Sequence, residues 1–279
     1  MATLRLMSHN LWNRTDNIPG WEERGLDCSA ALRMKSHIRV YQELMPDIIG
    51  GQEINRDMYP LLKFYSMDAN IPYSIIWGNF TPIVYRADKL ELLANDYVLY
   101  PKKVEGFNGE YNDVESKSCN IGVFRNKESG KVFIFATTHL WWQPETMAAG
   151  SDAVRRLQLK TATEVISDYQ KKYDGCPVIL VGDMNTGYNT PAIQYALNDG
   201  GYKHAHDIAT DFVCEGVGYN DCGFYGPGDK WWDKPFEEAI DHILVKDADA
   251  NSVKRFDRYT PDYYLTVSDH APVYIDIEL

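Results

Sequence analysis

Gly182-Asp183-Met184-Asn185 follows the apolar run 178–181 and sets a carboxylate and a carboxamide two residues apart. Side chains alternate across an extended backbone, so Asp183 and Asn185 are expected to face one side, with Gly182 permitting close backbone approach. A pair so placed can orient and deprotonate a water. Asp241, in Ile240-Asp241-His242, and the dipeptide Asp269-His270 offer a second kind of chemistry. An aspartate that hydrogen-bonds one imidazole nitrogen fixes the tautomer and stabilises the imidazolium. Glu53 follows the run 47–51 in Gly50-Gly51-Gln52-Glu53. A carboxylate there is costly unless it is solvated, paired or bound to a metal. Asn10 in Ser8-His9-Asn10 and His139 in Thr137-Thr138-His139 close two more such runs. Taken singly, each has an ordinary explanation as a turn former, a solvated acid or a core histidine. Core packing does not generate the ordered set: Asn, Glu, His, Asp-x-Asn, Asp and Asp-His, each at the end of an apolar run.

The elements that must position these groups are legible as short β-branched runs at residues 3–8, 47–51, 73–77, 82–85, 90–100, 120–125, 132–138, 177–182, 239–246 and 272–279, which read as strands. Helical spacing covers 29–45, stopped by Pro46, and 152–173, and a shorter helix is expected after Pro191. Asn126-Lys127-Glu128-Ser129-Gly130 reads as a hairpin turn. Many strands and few helices in one domain, residues 1–279, suggest two packed sheets flanked by helices. The stretches 12–27, 102–117 and 210–234 read as long loops of the kind that carry function.

Composition narrows the partners. The chain has 279 residues, 40 acidic against 28 basic side chains, and a net charge of −12. Duplex nucleic acid is bound largely by neutralising phosphates with Lys and Arg, so stable duplex DNA binding is not expected. Five cysteines form no CxxC pair and no zinc spacing; Cys214 and Cys222 are close enough in sequence to pair in an oxidising compartment, but free thiols are the expectation. No apolar run reaches membrane-spanning length. The N-terminal residues show no secretory h-region. The expected location is cytoplasmic, or exported if a signal peptide has been removed, and the expected state is a monomer.

The ordered motifs resemble those of the endonuclease/exonuclease/phosphatase family, which includes deoxyribonucleases, deadenylases, inositol-polyphosphate phosphatases and sphingomyelinases. The resemblance runs from His9-Asn10 through Gly51-Gln52-Glu53, Thr138-His139-Leu140, Gly182-Asp183-Met184-Asn185 and Ile240-Asp241-His242 to Ser268-Asp269-His270-Ala271-Pro272-Val273. It implies an α/β fold, a four-layer α/β/β/α sandwich of two mixed sheets, with the site at one end of the sheets. It further implies that Glu53 is the principal metal carboxylate, with Asn10 and Asp269 assisting. Asp183 and Asn185 then hold and activate the attacking water, His270 oriented by Asp241 contacts the phosphate, and His139 is a second imidazole found in some branches. Lys117 stands where many members carry an arginine, which replaces a bidentate clamp with a point charge.

The chemistry so implied is metal-assisted in-line attack of water on a phosphoester, without a covalent phospho-enzyme. A site with few protein ligands suits Mg²⁺ or Mn²⁺ rather than zinc. The substrate is expected to be a phosphorylated small molecule or single-stranded nucleic acid, cleaved by a phosphodiesterase or phosphatase; a nuclease or deadenylase is the main alternative. A non-catalytic binding module on the same fold would be favoured by a degraded site. A metal-free lectin-like sandwich would show no ordered polar strand ends. Arg155 and Trp141 are further substrate-contact candidates, each weighed against a solvated helix face or ordinary packing. His204 and His206, lacking a third ligand, read as a surface pair.

Overall fold

Strand β1 (Thr3–Asn10) shows how the sequence builds both faces of its sheet. Leu4 and Leu6 point into one apolar cluster, while Met7 points into another on the opposite face. Strand β2 (Ile48–Gln52) repeats the division with Ile48 and Ile49. Strands buried on both faces read as nearly continuous apolar runs, and the parallel β1–β2 pairing sets Asn10 opposite Gln52. Asn10 and Glu53 thereby leave the same edge of the sheet.

The computed structural model describes residues 2–213, 216–220 and 228–279, so the Cys214–Cys222 pair lies outside the described residues. The other strands are β3 (Tyr73–Ile76), β4 (Ile83–Arg86), β5 (Leu90–Leu99), β6 (Ser118–Asn126), β7 (Val132–His139), β8 (Val178–Asp183), β9 (Lys203–His204), β10 (Asp211–Phe212), β11 (Asp241–Lys246), β12 (Val253–Arg258) and β13 (Val273–Glu278). Among the described residues they form two mixed sheets, ordered β10-β12-β13-β1-β2-β4-β3 and β5-β6-β7-β8-β11-β9. One core cluster lies between the sheets and includes Leu6, Phe135, Val181 and Ile275. Helices α2 (Ala30–Leu44) and α3 (Met58–Asp68) cover the first sheet through Met34, Tyr41 and Leu62. Helices α4 (Ser151–Lys172) and α5 (Pro191–Asn198) cover the second through Leu159, Ile166 and Ile193. Two shorter helices, α1 (Pro19–Glu22) and α6 (Ala205–Ile208), lie in connections. The layering is α/β/β/α, as expected. Among the described residues no helix is long and apolar enough to cross a membrane.

Besides the short α1, α6, β9 and β10, two longer elements depart from the sequence reading. Helix α3 buries Met58, Leu62 and Ser66 but exposes Phe64 and Met67, so its apolar residues do not trace one stripe. Strand β12 reads Val-Lys-Arg-Phe-Asp-Arg, four charges in six residues, and its charges are matched locally. Arg255 pairs with Asp211 and Asp257, and Tyr274 donates to Asp257.

The sheets meet closely at Gly50, two residues before the end of β2. A Cβ on Gly50 would lie 2.5 Å from Val181 Cγ2 and 2.6 Å from Thr137 Cβ. Gln52 donates across the same interface to Thr137 Oγ1 at 2.8 Å, and Ser8 Oγ donates to Gln52. Gly50→Ala is expected to cost about 2–3 kcal/mol by overpacking, read as a lower midpoint in urea unfolding. A midpoint equal to the parent's would show that the sheets are not locked at this contact.

Candidate active site

The polar strand ends converge because both sheets deliver them to one edge. In the parallel β7–β8 pair His139 stands opposite Asp183, and in the antiparallel β8–β11 pair Asp183 stands opposite Asp241. Ser118 pairs with His139, which brings the preceding Lys117 alongside. The resulting cleft, about 520 Å³, is lined by Glu53, Lys117, His139, Asp183, Asn185, Asp269 and His270, with Trp12, Arg14, Phe80, Asp113 and Trp142 among its walls.

Asp183 is the hub. Its Oδ2 accepts from Asn10 Nδ2 at 2.9 Å and lies 3.4 Å from His139 Nε2 and 3.9 Å from His270 Nε2. Its Oδ1 accepts from the backbone N–H of Asn185 at 3.0 Å. Burial pushes the Asp183 carboxyl up to about 7, opposed by the neighbouring His270. Asn10 Nδ2 also reaches Glu53 Oε1 at 3.3 Å, while the side-chain Oδ1 of Asn10 accepts from the Trp12 N–H. Glu53 Oε2 in turn accepts from the Asn13 N–H at 2.7 Å. Asn10 therefore bridges the two carboxylates.

His270 Nδ1 meets Asp241 Oδ2 at 2.8 Å, the arrangement expected from the sequence. Burial opposes its charge, but Asp241, Asp269 and Asp183 around it hold the imidazole pKa well above its ordinary value. His139 is the reverse: burial, then Lys117 and His270, keep its pKa well below the ordinary value. Lys117 Nζ donates to His139 Nε2 at 2.8 Å, and burial lowers the ammonium's own pKa. Glu53, Trp12 and Asn185 all adopt left-handed backbone, with φ of 59°, 56° and 50°. Such conformations in non-glycine residues persist where surrounding structure enforces them, commonly at functional sites.

Several expectations change here. Strand β8 ends at Asp183, so Asn185 reaches the cleft through a left-handed turn rather than strand alternation, and its amide donates to Leu140 O. Trp141 and Arg155 are not brought to the cleft. Trp141 is buried against Tyr111 and Val154. The Arg155 guanidinium donates to Trp141 O and Gln143 O and pairs with Asp152. It shapes the loop that presents Trp142, which is 44% exposed. His204 is no surface residue: it is fully buried and hydrogen-bonded to His242 at 3.0 Å, with His206 stacked on Phe236. Phe80 and Asp113 were not singled out from sequence. Asp113 lies in a flagged loop, whereas Phe80 carries no signal beyond its place between two strands.

The donor atoms form two groups that could hold a metal ion. Ligand atoms of Glu53, His139 and Asp183 lie within 4.8 Å of one another, as do those of Asp183, Asp241 and His270. Asp269 lines the same cleft; burial and the nearby Glu53 push its carboxyl up, to about 6 with His270 opposing. Carboxylates crowded in this way are what a cation relieves.

The chain belongs to the endonuclease/exonuclease/phosphatase family, whose model matches residues 7–270. No curated protein matches the sequence. A mannosyl-6-phosphatase from Bacteroides thetaiotaomicron superposes with a TM-score of 0.72 at 21% identity, covering 99% of this chain and 100% of that one. A family protein from the same organism gives 0.72 at 21%, covering 99% and 95%. TDP2 from D. rerio, in complex with a single-strand DNA product, gives 0.65 at 17%, covering 100% of both chains. At these identities the likeness concerns the fold.

Proposed function

We propose that this protein is a divalent-metal-dependent phosphoester hydrolase, a phosphodiesterase or phosphatase. The observation that supports the reading best is the meeting of Asp183, Asn10, His139 and the His270–Asp241 pair around one carboxylate oxygen, with Glu53 alongside. Glu53, with Asn10 and Asp269 beside it, would hold Mg²⁺ or Mn²⁺, which when bound offsets phosphate charge and polarises the phosphoryl oxygen. Asp183 takes the proton of the attacking water, and Asn185 orients that water. His270, fixed through Nδ1 by Asp241, presents Nε2 to the phosphate. Lys117 adds a point charge at the same edge and holds His139 in the tautomer whose Nε2 accepts.

The open cleft walled by Trp12, Phe80 and Trp142 fits a small phosphorylated ring or a single-stranded nucleotide. The mannosyl-6-phosphatase and TDP2 neighbours make both classes worth assaying.

The test is a metal-supplemented screen of sugar phosphates, nucleotides, inositol phosphates, single-stranded nucleic acid and bis-p-nitrophenyl phosphate. Turnover is expected with Mg²⁺ or Mn²⁺ and to disappear in excess chelator. Glu53→Gln is expected to raise the metal concentration for half-maximal rate by at least about tenfold. Full turnover after chelation refutes the metal assignment.

A further inference from the structure

Arg33, in the first turn of α2, lies outside the cleft and is 2% exposed. Its guanidinium has five N–H donors, and each is given to a backbone carbonyl. Nε donates to Cys28 O at 2.7 Å. Nη1 donates to Leu11 O at 2.8 Å and Val267 O at 2.9 Å. Nη2 donates to Trp12 O at 2.8 Å and Arg14 O at 2.6 Å. The guanidinium carbon lies 4.8 Å from the centre of the Trp12 ring.

Those carbonyls belong to the two loops that carry the halves of the site. From the first loop, the Trp12 N–H fixes the Asn10 side chain and the Asn13 N–H fixes Glu53. Val267 O belongs to the residue just before Ser268-Asp269-His270. Ser268 Oγ donates to Asn10 O at 3.1 Å and accepts from the His270 N–H at 3.3 Å. One buried planar fork thus joins the loop that orients the metal-side carboxylate to the loop that carries the phosphate-side imidazole. Fixed fork geometry is the property that lysine lacks.

We propose that Arg33 is a positioning residue for phosphoester hydrolysis, setting the separation of Glu53 from His270 through these carbonyls. The proposal rests on the hydrolase reading above. It predicts that Arg33→Lys, which keeps the charge but offers three donors for five carbonyls, loses turnover by about 100-fold with KM within about threefold, as misplacement of reacting groups by 1 Å does. In the metal-free protein, amide hydrogen exchange should quicken at residues 11–14 and 267–270 while α4 and β8 keep their protection. In Arg33→Ala, guanidinium at about 20 mM should restore turnover at least tenfold, and equal sodium chloride should not.

A purely structural residue would lower the unfolding midpoint and leave turnover per folded molecule within twofold of the parent, which overturns the proposal. So does exchange unchanged in both loops. If the Arg33 variants do not fold, Ser268→Ala tests the same coupling without removing a buried charge. A tenfold fall in turnover at constant KM is then expected, and an unchanged rate overturns it. A parent protein inactive across the whole screen refutes the hydrolase reading instead, and the exchange measurement on Arg33→Lys still decides the positioning claim.

Discussion

Asp183→Ala should lower turnover on the best substrate by about 10⁴-fold, at the upper end of what a positioned general base contributes. The effect is expected to be this large because one oxygen serves several partners: Asp183 Oδ2 faces Asn10, His139 and His270 within 3.9 Å. Removing it leaves the water without a proton acceptor and Asn10 with one fewer fixed contact. Asp183→Asn is the sharper variant, since it preserves volume and an acceptor oxygen but cannot take the proton. Its loss should be nearly as great. The folded state should not suffer in proportion, because burial and the nearby Asp241 and Glu53 disfavour the native anion. Rates and thermal midpoints measured together decide the matter. An Asn variant within tenfold of the parent rate would remove Asp183 from the chemistry, and a collapse of the midpoint would assign the loss to unfolding.

Asp183 stands out in the sequence because a parallel or mixed sheet buried on both faces leaves few places for polar groups except its edges. Asn10, Glu53, His139, Asp183 and Asp241 each follow or flank a run whose apolar residues fill two clusters at once, so those runs stand out by composition alone. The four-layer fold was legible for the same reason. What the sequence concealed depends on pairing across the chain. Arg33 looks like a solvated helix residue until residues 11, 12, 14, 28 and 267 are seen around it. Trp141 and Trp142 are adjacent and chemically identical, yet only the path of the loop, set by Arg155, decides which one is exposed. Strand β12 was hidden because hydropathy cannot detect charges neutralised by partners distant in sequence.

The same long-range pairing makes the fold sensitive to acid away from the cleft. His37, His204 and His242 are all fully buried. Burial first, with neighbouring cations and imidazoles adding to it, depresses all three; His242 falls from 6.5 to about 4, and the other two lie well below 6.5. Each is therefore neutral in the native state, where His204 and His242 share a hydrogen bond and His37 meets the Tyr264 hydroxyl. As pH falls below about 6.5 the unfolded chain takes up protons that the native chain refuses, so stability declines with falling pH. The loss continues until the native pKa is reached, at about 1.4 kcal/mol per pH unit for each histidine. Between pH 7.5 and 5 this amounts to roughly 2 kcal/mol for His242, and His37 and His204 add to the loss in the same direction. Urea midpoints at pH 7.5, 6.5, 5.75 and 5 should be level above 6.5 and fall progressively below it. A flat profile down to pH 5 would mean that these imidazoles accept protons without leaving the core. Preventing the His204–His242 contribution requires removing both rings, because each is fully buried and each resists protonation through that burial first. A double variant with neutral side chains of similar size should therefore flatten the profile more than either single change, even if it lowers the midpoint at pH 7.5.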